Sequence, residues 1–321
     1  MTTPDSRHLV DPELAPLLEM FPALSLSDET LAGVRENRMV FPVEPAADAA
    51  VASERRRVSG PAGAPEIEAL CYRPKAATGA LPCILHIHGG GYVLGDAASM
   101  APFHKPLALE LNCAIVSVDY RLAPETRFPG AVEDCYAALA WLAVSAGEIG
   151  VDFTHVGVMG ESAGGGLAAA LALLARDRKE HALAFQHLIY PMLDDRTCVR
   201  ADKHPFAGEF IWTGAANRYG WGALLGAEPG SDGVSPYAAA ARAETLAGLP
   251  PTFISTGALD LFLDEDLDYA RRLIWAGVPT ELHVYAGAFH AFDMAPGVDV
   301  ADRARRDSRA ALARALRRPA I

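Results

Sequence analysis

Between residues 81 and 285 short apolar runs alternate with longer helical patterns, and nothing else in the chain constrains the fold as strongly. Residues 81–87, 114–118, 155–159, 185–190, 252–256 and 281–285 read as strands. Residues 131–144, 162–175 and 265–276 read as helices between them. Parallel neighbours need a crossover of a dozen or more residues, and a helix fills it. Such strands are covered on both faces, so they read as continuous apolar runs rather than as alternating ones. The expected fold class is α/β, with a mostly parallel sheet flanked by helices. Residues 55–58 and 67–73 flank the turn Gly60-Pro61-Ala62-Gly63 and read as a hairpin, an antiparallel start to the same sheet.

Two segments stand outside the alternation. Residues 1–50 read as helical pieces broken by Pro4, Pro12, Pro16, Pro22, Pro42 and Pro45, with a helix opening near Ser27, Thr30 and Leu31 and running to about Arg38. Leu14, Leu17, Leu18, Met20, Phe21 and Leu24 make this segment too apolar for a free tail. Residues 195–248 read as a mostly helical insertion carrying Phe206, Phe210, Ile211, Trp212, Tyr219 and Trp221. The expected organisation is therefore a core of residues 51–194 and 249–321, with 1–50 and 195–248 as accessory segments. A last helix over 300–318 carries seven arginines, which read as a solvated face.

Charge and cysteine usage remove several functions. Of 321 residues, 40 are acidic and 28 basic, a formal net charge of -12. Nucleic acid and anionic membranes need a basic field, so neither is expected as a partner. The cysteines Cys71, Cys83, Cys113, Cys135 and Cys198 are odd in number and lack close pairs, against a disulfide framework or a cysteine zinc site. No apolar run of about 18 residues is present, so no membrane insertion is expected. The first residues lack a signal-peptide pattern, and the expected compartment is the cytoplasm.

The chemistry is written at the ends of the strands. Gly160-Glu161-Ser162-Ala163-Gly164 lies between a strand and a helix. There the G-x-S-x-G pattern describes a tight elbow that lifts the serine hydroxyl clear of the backbone. The side chains two residues before and after the serine must vanish, hence Gly160 and Gly164. His88-Gly89-Gly90-Gly91-Tyr92 closes the strand 81–87. Its glycines let the N–H groups of Gly90 and Gly91, with that of Ala163, converge on a developing oxyanion. A phosphate-cradling loop would need a Lys-Ser/Thr ending or G-x-G-x-x-G spacing, and the segment has neither.

A serine needs a base. His290, after the last strand and before the last helix, occupies the place of the base in a Ser…Asp…His chain order. His86 and His88 read as shaping the glycine loop, His283 as structural, and His104 and His204 as loop residues. Asp260 closes the strand before His290 and suits the orienting carboxylate, with Asp264 as its rival. Asp264, Glu265, Asp266 and Asp268 read as acids favoured by a helix N-terminus rather than as metal ligands. Neither metal nor cofactor is expected.

Taken in order and at these spacings, the motifs His88–Gly91, Asp119-Tyr120-Arg121-Leu122-Ala123-Pro124-Glu125, Gly160–Gly164, and the surroundings of Asp260 and His290 resemble the hormone-sensitive-lipase-like branch of the α/β-hydrolases, the bacterial carboxylesterases. The resemblance spans residues 15–317. It implies an α/β-hydrolase sheet of about eight strands. It further implies a helical cap made from the N-terminal segment and the 195–248 insertion, and cis peptide bonds before Pro124 and Pro129. Three departures stand out: Leu261 where the family has proline, Ala291 where it has glycine, and Glu161 where aspartate is commoner.

The implied reaction is ester hydrolysis. Ser162 attacks the carbonyl, His290 moves the proton, Asp260 holds His290, and Gly90, Gly91 and Ala163 stabilise the oxyanion. Short- to medium-chain acyl esters are the expected substrates; lactones, amides and acylated sugars suit the same residues. The plant gibberellin receptors resemble this branch and bind a ligand without the catalytic histidine, whereas His290 is present here. A homodimer through an exposed strand edge is a further expectation. A histidine base predicts activity that rises with pH toward neutrality.

Overall fold

The computed structural model describes residues 5–21, 23–37 and 41–317. Pro4, Pro22, Arg38 and Arg318 therefore lie outside the described residues. Eight strands form one sheet: β1 (Val51–Val58), β2 (Ile67–Pro74), β3 (Leu81–Ile87), β4 (Ala114–Asp119), β5 (Val151–Glu161), β6 (Gln186–Ile189), β7 (Thr252–Gly257) and β8 (Thr280–Tyr285). Their spatial order is β1-β2-β4-β3-β5-β6-β7-β8. β1 pairs antiparallel with β2, and β2 antiparallel with β4. Every other pairing is parallel.

Alternation along the strands assigns the two faces. Cys83, Leu85 and Ile87 of β3, with Val116 and Val118 of β4, join a core shared with α5 (Gly130–Ser145), α6 (Ala163–Arg178) and α8 (Leu263–Trp275). Ile84 and Ile115 point the other way, onto α4 (Ala101–Leu111) and α9 (Asp299–Ala315). Helices on both faces explain why the central strands carry so few exposed residues. α6 is buried at every position from Ala163 to Ala175, which accounts for its Ala, Gly and Leu composition. α9 shows the opposite pattern: Val300, Ala301, Ala304, Ala311 and Leu312 form a buried stripe, and Arg309 and Arg314 reach out to Glu110 and Glu281.

The differences from expectation have local causes. β1 starts at Val51 rather than 55, because β2 pairs with it along its whole length, from Val51↔Pro74 to Val58↔Ile67. β5 starts at Val151, where it meets Leu81 before a register shift. The 195–248 insertion is not mostly helical. Its regular structure is α7 (Gly214–Leu225) and one 3-10 turn (Ala240–Arg242), and Pro205, Gly208, Gly226, Pro229, Gly230, Gly233 and Pro236 punctuate the rest. The bonds Ala123–Pro124 and Phe128–Pro129 are both cis.

The N-terminal segment packs on this insertion. It forms α1 (Ala15–Met20), α2 (Leu31–Glu36) and α3 (Pro45–Ala50). Ser6 N–H donates to Glu209 (2.8 Å), Leu24 N–H to the Ile211 carbonyl (3.3 Å), and Tyr219 O–H to Asp28 (3.0 Å). The insertion and the first part of the N-terminal segment meet the loops that follow β3, β7 and β8, at the edge where parallel sheets place their ligands. Trp212 lies against Gly91, Gly208 N–H donates to the Leu259 carbonyl (3.0 Å) and Asp11 N–H to the Gly287 carbonyl (3.0 Å), whereas α3 packs on α4 and β1.

Candidate active site

Ser162 alone separates β5 from α6, and the chain reverses through it at φ 56, ψ -121. A non-glycine residue there carries strain of about 1–3 kcal/mol. The fold holds it from three sides: Ser162 N–H donates to the Ile189 carbonyl (2.9 Å), and its carbonyl accepts from Gly166 (3.0 Å) and Met192 (2.9 Å). The flanking glycines are required by close backbone approach. A Cβ on Gly160 would lie 2.3 Å from the Gly164 carbonyl oxygen, and one on Gly164 would lie 2.0 Å from that of Ile87.

Three side chains from three strand ends then meet. The Ser162 Oγ is 2.9 Å from His290 Nε2, and His290 Nδ1 is 2.8 Å from Asp260 Oδ2. Asp260 is fully buried and its Oδ1 accepts the Phe262 N–H at 3.0 Å, so its position is fixed. A carboxylate only accepts, so His290 Nδ1–H donates to Asp260 and Nε2 is left to accept the serine proton. The rings of Tyr190 and Phe262 stand edge-on to His290 at 4.8 and 5.2 Å. Asp264, on the first turn of α8, does not reach His290.

The glycine loop lies opposite. Neither the Gly90 nor the Gly91 N–H donates to an acceptor among the described residues, and the Ala163 N–H opens α6, where helical amides have no partner within the helix. Trp212 roofs this loop. Its indole is 3% exposed, donates to Asn217 Oδ1 at 3.2 Å, and lies so close to Gly91 that a Cβ there would sit 2.1 Å from the ring. The sequence marked Trp212 only as one aromatic of the insertion.

The Asp119–Glu125 motif acts as scaffolding. Asp119 accepts from Ala97 N–H (2.9 Å), and Tyr120 O–H holds the His88 carbonyl (2.9 Å) while its ring stacks on His88. Arg121 forks onto the buried Asp134 at 2.6 and 2.8 Å. Glu125 anchors Arg35 of α2, whose guanidinium also binds the carbonyls of Val93 and Ala123, both at 2.8 Å. This ties the N-terminal segment to the loop that carries Gly90 and Gly91.

The five histidines weighed beside His290 lie outside this row. His104 is not in a loop; it lies buried on α4, with its ring 4.1 Å from that of His86. His86 bridges Ser117 and Glu161, and burial pushes it down to about 3. Burial likewise lowers His88 to about 4. His204 accepts from the Phe206 and Ala207 amides of its own loop, and His283 pairs with Glu281. The acids of α8 are not all solvent-facing: Glu265 is buried and accepts from Leu193 and Asp194 N–H, and Asp266 is fully buried. No cluster of three or more His, Cys, Asp or Glu side chains placed to hold a metal occurs among the described residues. No helix among them is long and apolar enough to cross a membrane.

An oxygen nucleophile, a base in contact with it, an orienting carboxylate and free amides opposite are what acyl transfer requires. Comparison with known proteins agrees. Residues 84–294 match the model of a family described as alpha/beta hydrolase fold. An esterase of Mycobacterium tuberculosis, LipI, is 33% identical over 297 residues, 90% of each chain. An ethyl acetate hydrolase of Pseudomonas putida is 33% identical over 224 residues, 69% of this chain and 70% of the relative. Among solved structures, a bacterial heroin esterase superposes with a TM-score of 0.87 at 38% identity, covering 96% of this chain and 98% of the other.

Proposed function

Since the chain belongs to the α/β-hydrolase fold family, in its hormone-sensitive-lipase-like branch, and is a serine carboxylesterase, we propose that Ser162, His290 and Asp260 carry the reaction and that its substrates are short- to medium-chain acyl esters. The observation that supports the assignment is the continuous hydrogen-bonded row Ser162–His290–Asp260, at 2.9 and 2.8 Å, on a strained elbow.

The mechanism follows from proton bookkeeping. His290 Nε2 takes the Ser162 hydroxyl proton as Oγ attacks the ester carbonyl. The new charge on the carbonyl oxygen is met by the N–H groups of Gly90, Gly91 and Ala163, and the dipole of α6 adds to them. Asp260 stabilises the imidazolium without taking its proton. The imidazolium gives that proton to the departing alcohol, leaving an acyl-Ser162 ester. Water, deprotonated by the same nitrogen, releases the acid and restores the serine. His88, Gly89, Gly160, Glu161 and Gly164 shape the two loops and do not touch the reacting atoms.

The N-terminal segment, through α1 and α2, and the 195–248 insertion act as a cap over this site. Trp212, pressed on Gly91, limits the room beside the loop, which favours a short acyl group. The ethyl acetate hydrolase named above acts, by its name, on a two-carbon acyl ester, in line with this reading. Five free thiols accord with a cytoplasmic setting. A homodimer would use the open edge of β8, beside which Val284, Ile274 and Trp275 are exposed; sedimentation velocity tests it, and a single monomer boundary at micromolar concentration would refute it.

The test of function is hydrolysis of p-nitrophenyl esters from acetate to decanoate, by wild type and Ser162→Ala, with a chelator present. Turnover that peaks at the short esters and vanishes in Ser162→Ala is expected. Turnover that survives Ser162→Ala, or that peaks at decanoate, would contradict the reading.

A further inference from the structure

Strand alternation turns three polar side chains toward the sheet face that α4 and α9 cover: His86 on β3, Ser117 on β4 and Glu161 on β5. His86 and Ser117 are direct register partners, and Glu161 sits at the end of the strand on the other side of β3. They form a second row beneath the elbow. Ser117 Oγ is 2.9 Å from His86 Nδ1, and His86 Nε2 is 2.9 Å from Glu161 Oε2. Ser117 and His86 are sealed off at 0% exposure, so this row reaches no substrate, yet Glu161 is the residue bonded directly to Ser162.

Where the proton lies decides what the row does. The His86 ring is fully buried with the His104 ring against it, so an imidazolium is disfavoured and the ring carries one proton. Two arrangements satisfy both hydrogen bonds. In one, a neutral Glu161 carboxyl donates to Nε2 and Nδ1–H donates to Ser117. In the other, an ionised Glu161 accepts from Nε2–H, and Ser117 O–H donates to Nδ1. The second leaves a carboxylate that pairs with no Lys or Arg among the described residues. The groups facing Glu161 are His86 of β3, His88 of the glycine loop, Tyr120 after β4, Tyr190 after β6, and Asp293 after His290. Beyond them, His104 of α4 backs His86, Asp119 at the end of β4 lies near His88, and Tyr190 and Arg305 of α9 hold Asp293.

We propose that Glu161 works as an uncharged positioning residue: it donates its carboxyl proton to His86, and the row Glu161–His86–Ser117 fixes the turn that presents Ser162 and keeps negative charge away from the developing oxyanion. This rests on Ser162 being the nucleophile. Burial raises Glu161 to about 8, which agrees with a neutral acid at neutral pH. Its side chain is 15% exposed, enough to exchange that proton with solvent. Loss of the proton switches the His86 tautomer and places an unpaired charge one residue from the attacking oxygen, so activity falls at alkaline pH.

The experiment compares wild type, Glu161→Gln and Glu161→Ala. Hydrolysis of a stable acetate ester is followed in a pH-stat from pH 6 to 10, and Ser162 labelling by a fluorophosphonate probe is followed alongside. The expected wild-type kcat/KM falls tenfold or more above about pH 8. Gln donates to His86 Nε2 without ionising, so Glu161→Gln retains kcat within about tenfold at pH 7 and loses the alkaline fall. Glu161→Ala lowers kcat by about 10- to 100-fold with KM little changed. An alkaline fall of equal midpoint in wild type and Glu161→Gln overturns the proposal, as does full kcat in Glu161→Ala. If Ser162 takes no label in wild type, it is the nucleophile assignment that fails, and the two failures are thereby told apart.

Discussion

Gly91→Ala tests the oxyanion loop through a single methyl group. Gly91 has φ 60, a region that costs an L-residue about 1–2 kcal/mol. The added Cβ would lie 2.1 Å from Trp212 Cη2 and 2.6 Å from Cζ2, closer than real Cβ contacts come. Trp212 has little freedom to retreat: it is 3% exposed and held to Asn217. The loop must therefore give way, taking the Gly91 N–H off the oxyanion. Losing one such donor raises the barrier by about 2.7–4 kcal/mol, a fall of roughly 10²–10³ in kcat. The assay is steady-state kcat and KM on p-nitrophenyl acetate, with thermal unfolding to show that the fold survives. KM should change little, because the interaction is made in the transition state. Gly91→Ala combined with Trp212→Ala removes the clash and should recover at least tenfold of the loss. A folded Gly91→Ala enzyme with kcat within threefold of wild type would refute the reasoning.

Asp260→Asn should lower kcat by about 10⁴ while leaving the fold intact, since an amide no longer dictates the His290 tautomer; stopped assays on the purified variant check this. Trp212→Ala should move the preferred ester toward longer acyl chains, read from the kcat/KM series. Asp266 gives a pH prediction. Burial holds its carboxyl well above the ordinary range, with Glu265 and Asp260 adding to the shift. The folded state therefore keeps a proton that the unfolded state releases above pH ~4, and stability declines as pH rises through that window. Asp266→Asn removes the titrating group, and should raise stability at pH 7 and flatten the melting temperature between pH 5 and 8.

What the sequence made legible was what physics ties to residue type. Residues 81–87 were read with both ends right, because a continuous apolar strand ends where glycines begin. Ser162, His290 and Asp260 stand out in the sequence because each follows a strand, at a place in chain order that acyl transfer dictates, and the structure brings the three into one hydrogen-bonded row. β5 was read short because Asp152 and Thr154 interrupt the apolar pattern before His155, although the strand lies inside the sheet between β3 and β6. His104 was read in a loop because Pro102 and Pro106 flank it; Pro102 lies in the first turn of α4, where no N–H is needed, and only Pro106 removes a bond. Trp212 and the Glu161–His86–Ser117 row were out of reach for another reason. Both depend on which strands and loops become neighbours, and the β3–β4 register is not written in either strand alone. The one signal for the row was His86 and Ser117, polar residues inside otherwise apolar strands.

The central claim is that Ser162 carries the acyl group between two steps. Rapid quenching during turnover of p-nitrophenyl acetate, followed by peptide mass spectrometry, tests it directly. One acetyl group on the peptide containing Ser162, appearing with a burst of p-nitrophenol and absent from Ser162→Ala, is the predicted result. Turnover without any acyl-Ser162, or an acyl group on another residue that forms and decays at the catalytic rate, would contradict it.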